Sequence, residues 1–248
     1  MENNKNTIEV CFSPRLYEDR LTHENFIVVI VDILRATTSI CSAFDNGVKK
    51  IIPVASLDEA REYKKKGFLV ASERDGIVPD FADFGNSAFN FMTPEVVGKT
   101  IVYSTTNGTH AIEMAKSAEK VVIGAFTNLK PLAEWLAAQD KNVVILCAGW
   151  KNKFNLEDSF FAGALVESLL EYPNFRLFCD SATVALDIWK TGKENMLGYI
   201  EKALHRHRLK RMGLDDVLEY SFTLNSTNVI PVMENQHIIN INKNEKTE

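Results

Sequence analysis

Three segments of the sequence place charged and hydroxyl side chains directly after a short apolar run. In the first, Asp32 follows the run 26–31, Arg35 comes three residues later, and hydroxyl groups follow at Thr37, Thr38 and Ser39. A carboxylate suits a divalent cation, whereas an arginine beside hydroxyls and helix N-terminal amides suits an anion. A competing interpretation is that Asp32 or Thr37 only caps a helix and Arg35 pairs with a carboxylate. The recurrence of the arrangement downstream favours a binding site.

The second segment, KTIVYSTTNGTHAIEM at 99–114, gathers five hydroxyl or amide side chains around one glycine. An ordinary capped turn needs only one such side chain, and a glycine lets the backbone approach a ligand closely. The segment therefore predicts a nest for an oxyanion, formed by Thr105, Thr106, Asn107, Gly108 and Thr109.

The third segment follows the apolar run 143–147 with a basic loop that contains Lys151 and Lys153, and then with Glu157 and Asp158 at the start of an apolar helix. Acids in the first turn of a helix most often only favour the helix dipole. Hard cations such as Mg²⁺ nevertheless choose carboxylate oxygens, and this pair would lie on the same sheet edge as Asp32.

Strands and helices alternate along the chain, which predicts an α/β fold of three layers, α/β/α, with a mainly parallel sheet. We expect one domain over 1–248, and two similar half-units, 1–140 and 141–248, are compatible with the same pattern. The stretch 194–211 predicts an amphipathic helix whose His205 and His207 belong to a solvated charged face. Near the C-terminus, 223–231 and 232–241 predict strands.

Composition and charge restrict the class of protein. A net charge of −5 over 248 residues argues against nucleic acid or an acidic membrane as the partner, and favours a small anionic molecule held by a few local cations. Four cysteines without metal-ligand spacing, the polar start MENNKN and no apolar run of membrane-spanning length predict a cytoplasmic protein. The aromatic residues Phe89, Phe91 and Trp150 would suit either a homo-oligomer contact or a lid over the site.

Several long motifs resemble the 2-phosphosulfolactate phosphatase family, in matching order over nearly the whole chain: VDILRATTS, SERDG, FGNS, TTNGT, CAGWKNKFNLEDSFFAGAL and HRHRLKRMGL with NVIPV. The resemblance implies a Mg²⁺-dependent phosphatase that hydrolyses 2-phospho-3-sulfolactate to 3-sulfolactate and phosphate, a step of coenzyme M biosynthesis. The chain departs from the family pattern where Ser72 and Asp75 replace glycine, Ala88 replaces proline, and Phe161 replaces a small residue or cysteine. The charged and hydroxyl residues are kept, so these departures concern substrate selectivity.

The residues also exclude the better-known routes of phosphate ester hydrolysis. No cysteine has an arginine six residues later, and Asp32 lacks the second aspartate of aspartyl-phosphate enzymes. A P-loop, an RHG triplet and a GxSxG motif are absent from the sequence. Metal-assisted attack by water is the simplest scheme that is left.

Read with the resemblance, the motifs suggest a role for each residue. Asp32, Glu157 and Asp158 are the expected Mg²⁺ ligands, and Glu73 is either a fourth acid or the base that orients water. Arg35 and Arg74 would clamp anionic oxygens. The predicted substrate-binding residues are Thr37, Thr38, Asn86, Ser87, Thr105, Thr106, Asn107, Gly108, Thr109, Lys151 and Lys153. The alternatives are a phosphatase of another small phosphorylated 2-hydroxy acid, a non-catalytic binder of small anions, and a regulatory or structural α/β protein.

Overall fold

The computed structural model describes residues 5–21 and 25–242, so most of the polar N-terminal stretch lies outside the described residues. Within them, ten strands form one sheet. The strands are β1 (Asn6–Cys11), β2 (Phe26–Val31), β3 (Lys50–Pro53), β4 (Leu69–Ser72), β5 (Thr100–Ser104), β6 (Lys120–Gly124), β7 (Asn142–Cys147), β8 (Phe175–Leu177), β9 (Pro231–Glu234) and β10 (His237–Asn240).

Helices flank this sheet and confirm the expected three-layer α/β/α class. They are α1 (Ala36–Asp45), α2 (Leu57–Lys65), α3 (Gly108–Met114), α4 (Leu129–Gln139), α5 (Leu156–Leu170), α6 (Asp180–Gly192), α7 (Met196–Ile200), α8 (Leu204–Arg211) and α9 (Leu218–Ser221). All six residues of β2 are buried because β6 and β7 pair with its two edges and helices cover it. None of the helices in the described part of the chain is long and apolar enough to cross a membrane.

The sheet has the order β4-β5-β3-β10-β9-β6-β2-β7-β1-β8. Strands β3, β4 and β5 are parallel to one another, as are β1, β2, β6, β7 and β8. The antiparallel hairpin β9–β10 joins the two groups, through one registered residue pair on each side. Following these pairings, the two parallel groups run in opposite directions. Strands from before and after residue 140 alternate in the sheet, because β7 lies between β2 and β1.

This reversal affects where the polar turns lie. In a flat sheet the carboxyl ends of β5 and β2 would lie at opposite edges and about 24 Å apart, since five strand spacings of roughly 4.8 Å separate them. The Tyr103 hydroxyl of β5 nevertheless donates a hydrogen bond to the Ala36 carbonyl at the start of α1, at 3.4 Å. The sheet must therefore be strongly bent at the hairpin, so that the ends of the two groups face each other across a cleft.

Some sequence-based predictions of local structure are wrong. The stretch 194–211 is not one helix, because it is divided into a short 3-10 turn, α7 and α8. Residues 223–230 form no strand, and only 231–240 forms the two strands of the hairpin. Phe91 is fully buried against Phe84 and Tyr103 and is not available as a surface contact. All four cysteines are free thiols.

Candidate active site

The two halves of the bent sheet enclose a polar cleft of about 390 Å³. It is lined by residues that follow β2, β4, β5 and β7 and by residues of α8. They are Asp32, Leu34, Arg35, Glu73, Asp75, Gly76, Asn86, Thr105, Thr106, Asn107, Trp150, His205, Arg208 and Leu209. Side chains from all three polar segments, or the loops they belong to, therefore meet here.

The turn after β2 is held by its own hydroxyl groups. The Asp32 N–H donates to Thr37 Oγ1 at 3.0 Å, and the Thr38 hydroxyl donates to the Ile33 carbonyl at 3.0 Å. Thr37 and Thr38 are buried and do not line the cleft, so these two predicted substrate-binding residues serve to fix the turn. Asp32 accepts a long hydrogen bond from the Ala36 N–H at 3.4 Å, which adds a capping contact to α1.

Arg35 is the unusual group of this turn. It is only 5% exposed, and it lines the cleft. Its guanidinium makes no hydrogen bond and no ion pair with any residue that the structure describes. A buried guanidinium without a partner is costly, because its desolvation is not compensated. Arg35 is therefore ready to bind an anion that enters the cleft.

The turn after β5 supplies hydroxyl and amide groups to the same cleft. Thr105, Thr106 and Asn107 line it, whereas the Thr109 hydroxyl donates to the Thr105 carbonyl at 2.8 Å and stabilises the turn. Gly108 is required by space, because a Cβ there would lie 2.6 Å from Ala36 Cβ and 3.1 Å from Asp32 Oδ2. The glycine thus permits the close contact between the two turns.

Four buried carboxylates lie at the cleft: Asp32 and Glu73 line it, and Glu157 and Asp158 lie beside it. Burial raises the pKa of Asp32 to about 6, while nearby His205 lowers it and Glu73 and Glu157 raise it. Burial, followed by the charges of Asp32 and Glu157, raises the pKa of Asp158 well above its usual range. Carboxylates that repel one another in a dry site are stabilised by a cation.

Asp158 links two of the turns. Its Oδ1 accepts a hydrogen bond from the Ile33 N–H at 2.9 Å, and its Oδ2 accepts one from the Gly149 N–H at 3.0 Å. It does not line the cleft. Both oxygens therefore hold the loop after β2 against the loop after β7, and the role of Asp158 as a metal ligand stays a prediction.

Glu157 contacts a histidine that was predicted to be solvated. His205 is 7% exposed, its Nδ1 lies 2.6 Å from Glu157 Oε1, and its ring stacks on Trp150 with centroids 5.9 Å apart. The prediction for His205 is wrong because α8 turns this side chain inward and leaves Leu204 84% exposed. The apolar pattern of the helix gave no signal for this orientation, and only the resemblance to the family motif pointed to the segment.

Glu73 and Arg74 have different surroundings although they are adjacent. Glu73 lines the cleft and is positioned by the Gly76 N–H and by the Thr106 hydroxyl, which both donate to its Oε1. Arg74 instead donates to the Glu73 carbonyl, the Ala55 carbonyl and Ser104 Oγ. It does not line the cleft, so its guanidinium is used for structure and not for clamping an anion there.

Among the remaining predicted substrate-binding residues, some line the cleft and others do not. Asn86 lines the cleft, whereas the Ser87 hydroxyl donates to Asp216 at 3.2 Å. Lys153 is exposed outside the cleft. Lys151 lies at its rim, where its N–H donates to Asn107 Oδ1 at 3.1 Å. The aromatic ring of Trp150 lines the cleft, as a lid residue would.

Among the lining residues with charged or aromatic side chains, four had no predicted role in binding or catalysis: Asp75, Trp150, His205 and Arg208. Arg208 places its guanidinium 5.4 Å from the centroid of the Trp150 ring. Asp75 and Trp150 come from loops within the predicted motifs, whereas His205 and Arg208 come from α8, and the sequence alone gave no indication that α8 would close the cleft.

The side chains at the cleft provide some, but not all, of the ligands that a divalent cation needs. Across residues 5–21 and 25–242, no three His, Cys, Asp or Glu side chains lie close enough together to hold a metal ion by themselves. Mg²⁺, however, is commonly held by one or two carboxylates together with water and substrate phosphate. Glu157 Oε2 is buried and has no hydrogen-bond partner among the described residues. Neither Glu157 nor Asp158 lines the cleft, but Glu157 keeps one unpaired oxygen among the described residues whereas both Asp158 oxygens accept backbone N–H bonds, so Asp32 and Glu157 are the two carboxylates best suited to such an ion.

Comparison with known proteins relates the chain to one group. A family profile described as 2-phosphosulpholactate phosphatase matches residues 11–236. A probable 2-phosphosulfolactate phosphatase of Carboxydothermus hydrogenoformans is 36% identical over 227 residues, which cover 90% of this chain and 92% of that protein. Proteins of the same description from Caldanaerobacter subterraneus and Thermotoga maritima are 33% and 34% identical, and each match covers 84% of this chain and 88% of the relative.

Proposed function

The chain belongs to the 2-phosphosulfolactate phosphatase family, and from this premise we propose that it hydrolyses 2-phospho-3-sulfolactate to 3-sulfolactate and inorganic phosphate. The observation that carries the proposal is Arg35, a buried guanidinium at the wall of a polar cleft that has no ion-pair or hydrogen-bond partner among residues 5–21 and 25–242. Thr105, Thr106 and Asn107 line the same cleft and add hydroxyl and amide groups suited to phosphate oxygens.

The acids in the cleft separate a phosphatase from a simple anion binder. A protein that only bound anions would gain nothing from Asp32, Glu73 and Glu157 near the ligand, because each carboxylate repels it. Phosphoryl transfer, in contrast, needs charge neutralisation by a metal ion and an oriented water molecule. The buried carboxylates are therefore costly features that suit hydrolysis.

We propose Mg²⁺ as the cofactor, held by Asp32 and by the unpartnered Glu157 Oε2. When bound, this ion would neutralise charge on the phosphate oxygens. The other steps belong to side chains: Arg35, the Thr105 hydroxyl and the Asn107 amide bind the phosphate, and the Thr106 hydroxyl donates to Glu73. Glu73, already fixed by two hydrogen bonds, orients the attacking water and accepts its proton.

The proposed setting is the cytoplasm, in coenzyme M biosynthesis. Free and largely buried thiols suit a reducing compartment. The net charge of −5 fits a protein whose ligand is a small anion gathered by local cations and not a nucleic acid.

Phosphate release from 2-phospho-3-sulfolactate tests the proposal. The assay compares Mg²⁺ with EDTA, and 2-phospholactate serves as the substrate without a sulfonate. Metal-dependent release that prefers the sulfonated compound is the expected result. Equal release from both would keep the phosphatase and reject the substrate, and release from neither would favour a binding protein.

Arg35→Gln provides the matching test of the observation that carries the proposal. Loss of the only unpaired cation seen within the cleft should reduce kcat/KM by at least about 100-fold, as expected for a charge-assisted contact worth roughly 3 kcal/mol. Lys153→Gln removes the same charge from an exposed position outside the cleft and is the control. Equal effects of the two changes would contradict the role of Arg35.

A further inference from the structure

The mouth of the cleft has a second basic group, formed by Lys151 and Arg208. It differs from Arg35 because a carboxylate of the protein, that of Asp75, already pairs with it. Asp75 Oδ1 lies 3.0 Å from Lys151 Nζ and 4.0 Å from Arg208 Nη2. Asp75 and Arg208 both line the cleft and Lys151 lies beside it, so this ion pair lies at the mouth through which a ligand would enter.

The two cations are held in place by contacts that do not need the Asp75 carboxylate. Arg208 Nη2 donates to the Asp75 backbone carbonyl at 2.8 Å, and its guanidinium lies over the Trp150 ring. The Lys151 N–H donates to Asn107 Oδ1. The Lys151 ammonium lies 5.8 Å from the centroid of the Trp150 ring, so both cations keep a contact with this ring if the carboxylate is removed.

The Asp75 carboxylate, in turn, contributes little to the local fold. Its side chain is 55% exposed, and the backbone has φ +52°, a conformation that glycine adopts without strain. The Asp75 N–H donates to Thr106 Oγ1 at 3.1 Å, which is again a backbone contact. An exposed ion pair of this kind adds little stability. The acid is thus better explained by what it does at the cleft.

The substrate in the proposed function carries a sulfonate and a carboxylate besides its phosphate. With the phosphate at Arg35 and the nest after β5, a further acidic group needs a cation elsewhere in the cleft. We propose that Lys151 and Arg208 form the subsite for the sulfonate, and that Asp75 occupies this subsite in the free protein and weakens the binding of sulfonated ligands. The inference rests on the proposed function for the identity of the ligand.

The size of the effect follows from Coulomb's law. Two anions about 5 Å apart repel each other. With an effective dielectric constant between that of bulk water, about 80, and roughly half that value, this repulsion changes affinity by roughly 4- to 15-fold. Asp75→Asn keeps the size of the side chain and removes the charge, so it should lower KM for 2-phospho-3-sulfolactate by this factor. The value of kcat should stay unchanged, because the contact of Asp75 with Thr106, which positions Glu73, uses the backbone N–H that both Asp75 variants keep.

The experiment compares KM and kcat of the wild type, Asp75→Asn, Asp75→Gly and Arg208→Gln with 2-phospho-3-sulfolactate and 2-phospholactate. We expect both Asp75 variants to lower KM for the sulfonated substrate, with a smaller change for 2-phospholactate, and Arg208→Gln to raise it. Asp80→Asn removes the same charge from an exposed position of the same loop outside the cleft and is the control. An Asp75→Asn change equal to that of Asp80→Asn, or equal for both substrates, would overturn the subsite.

Direct titration with 3-sulfolactate separates this inference from the proposed function, because it needs no turnover. Tighter binding by Asp75→Asn than by the wild type, together with weaker binding by Arg208→Gln, would support the subsite even if no phosphate were released. Weaker binding by Asp75→Asn would show that the carboxylate serves to hold Arg208, and would refute the inference even in an active phosphatase.

Discussion

Replacing Asp32 by asparagine should abolish activity and at the same time stabilise the metal-free protein. The carboxylate is 6% exposed, and burial raises its pKa from an ordinary 3.8 to about 6. Each pH unit of such a difference corresponds to about 1.36 kcal/mol, so the ionised form destabilises the fold by roughly 3 kcal/mol. Asparagine avoids this cost and loses only a long hydrogen bond from the Ala36 N–H. A net gain of about 2 kcal/mol remains.

The sign of the pH dependence follows from proton binding. Below about pH 4 the group is protonated in both the folded and the unfolded protein, and Asp32 costs nothing. Between about pH 4 and pH 6 the unfolded chain has released the proton while the folded protein still binds it, so stability falls as the pH rises. Above about pH 6 the full cost is present. The gain of Asp32→Asn should therefore be complete at pH 8 and about a third as large at pH 5, where the cost of ionisation has fallen to roughly 1.6 kcal/mol.

Urea unfolding in EDTA, followed by tryptophan fluorescence, measures this gain at the two pH values. For a chain of this length, about 2 kcal/mol corresponds to a rise of roughly 4 to 8 °C in Tm. Mg²⁺ should stabilise the wild type and leave Asp32→Asn unchanged, and phosphate release should be lost in the variant. A variant that is less stable than the wild type at pH 8, or a gain that is equal at both pH values, would refute the reasoning.

Three further changes address the groups around Asp32. Asp158→Asn should lower the free energy of unfolding by about 2 to 4 kcal/mol, since the two backbone N–H groups reach different oxygens and the amide replaces one of these with an NH2 donor. Gly108→Ala should reduce both stability and phosphate release, because its Cβ would lie 2.6 Å from Ala36 Cβ. His205→Ala should raise the Mg²⁺ concentration for half-maximal activity by about 10- to 100-fold, as the contact that orients Glu157 is lost.

Each change has a measurement that can contradict it. Urea unfolding of Asp158→Asn in EDTA should show the lower free energy of unfolding in the absence of any metal. Unchanged stability would mean that Asp158 acts only as a metal ligand. Gly108→Ser serves beside Gly108→Ala, and wild-type Tm in both would contradict the close contact between the turns. In Mg²⁺ titrations of activity, His205→Asn can keep a contact near the Nδ1 position, so it should restore part of the affinity that His205→Ala loses.

The sequence was informative where one segment contains both a strand and the polar side chains that directly follow it. Asp32 and Arg35 follow one strand directly, and Thr105 to Asn107 follow another, so the strand ends themselves place these residues at the edge of the sheet. The three-layer α/β/α class follows in the same way from the alternation of strands and helices. Such local patterns do not depend on knowing which distant segments meet.

The predictions failed where distant segments meet. His205 and Arg208 reach the cleft only because α8 packs with its charged side inward and leaves Leu204 exposed, and no local pattern distinguishes that orientation from a solvated face.

A local ambiguity affected Thr37 and Thr38. Their hydroxyls were assigned to the ligand because a hydroxyl that follows a strand can hydrogen-bond either to a ligand or to the backbone of its own turn. Which of the two occurs depends on the backbone path of the turn, and here both hydroxyls bond within the turn.

The bend of the sheet connects the fold to the proposed chemistry. A cleft with a guanidinium on one side and carboxylates on the other must keep them apart until the substrate enters, since otherwise Arg35 would pair with Asp32. Arg35 and Asp32 belong to the same turn, yet hydrogen bonds within that turn and the contact of Gly108 with Ala36 fix the backbone between them. The turn after β5 can make this contact only because the hairpin β9–β10 reverses one half of the sheet and brings its carboxyl ends to face the other. The C-terminal hairpin, remote in sequence from every predicted site residue, is therefore a condition for the site.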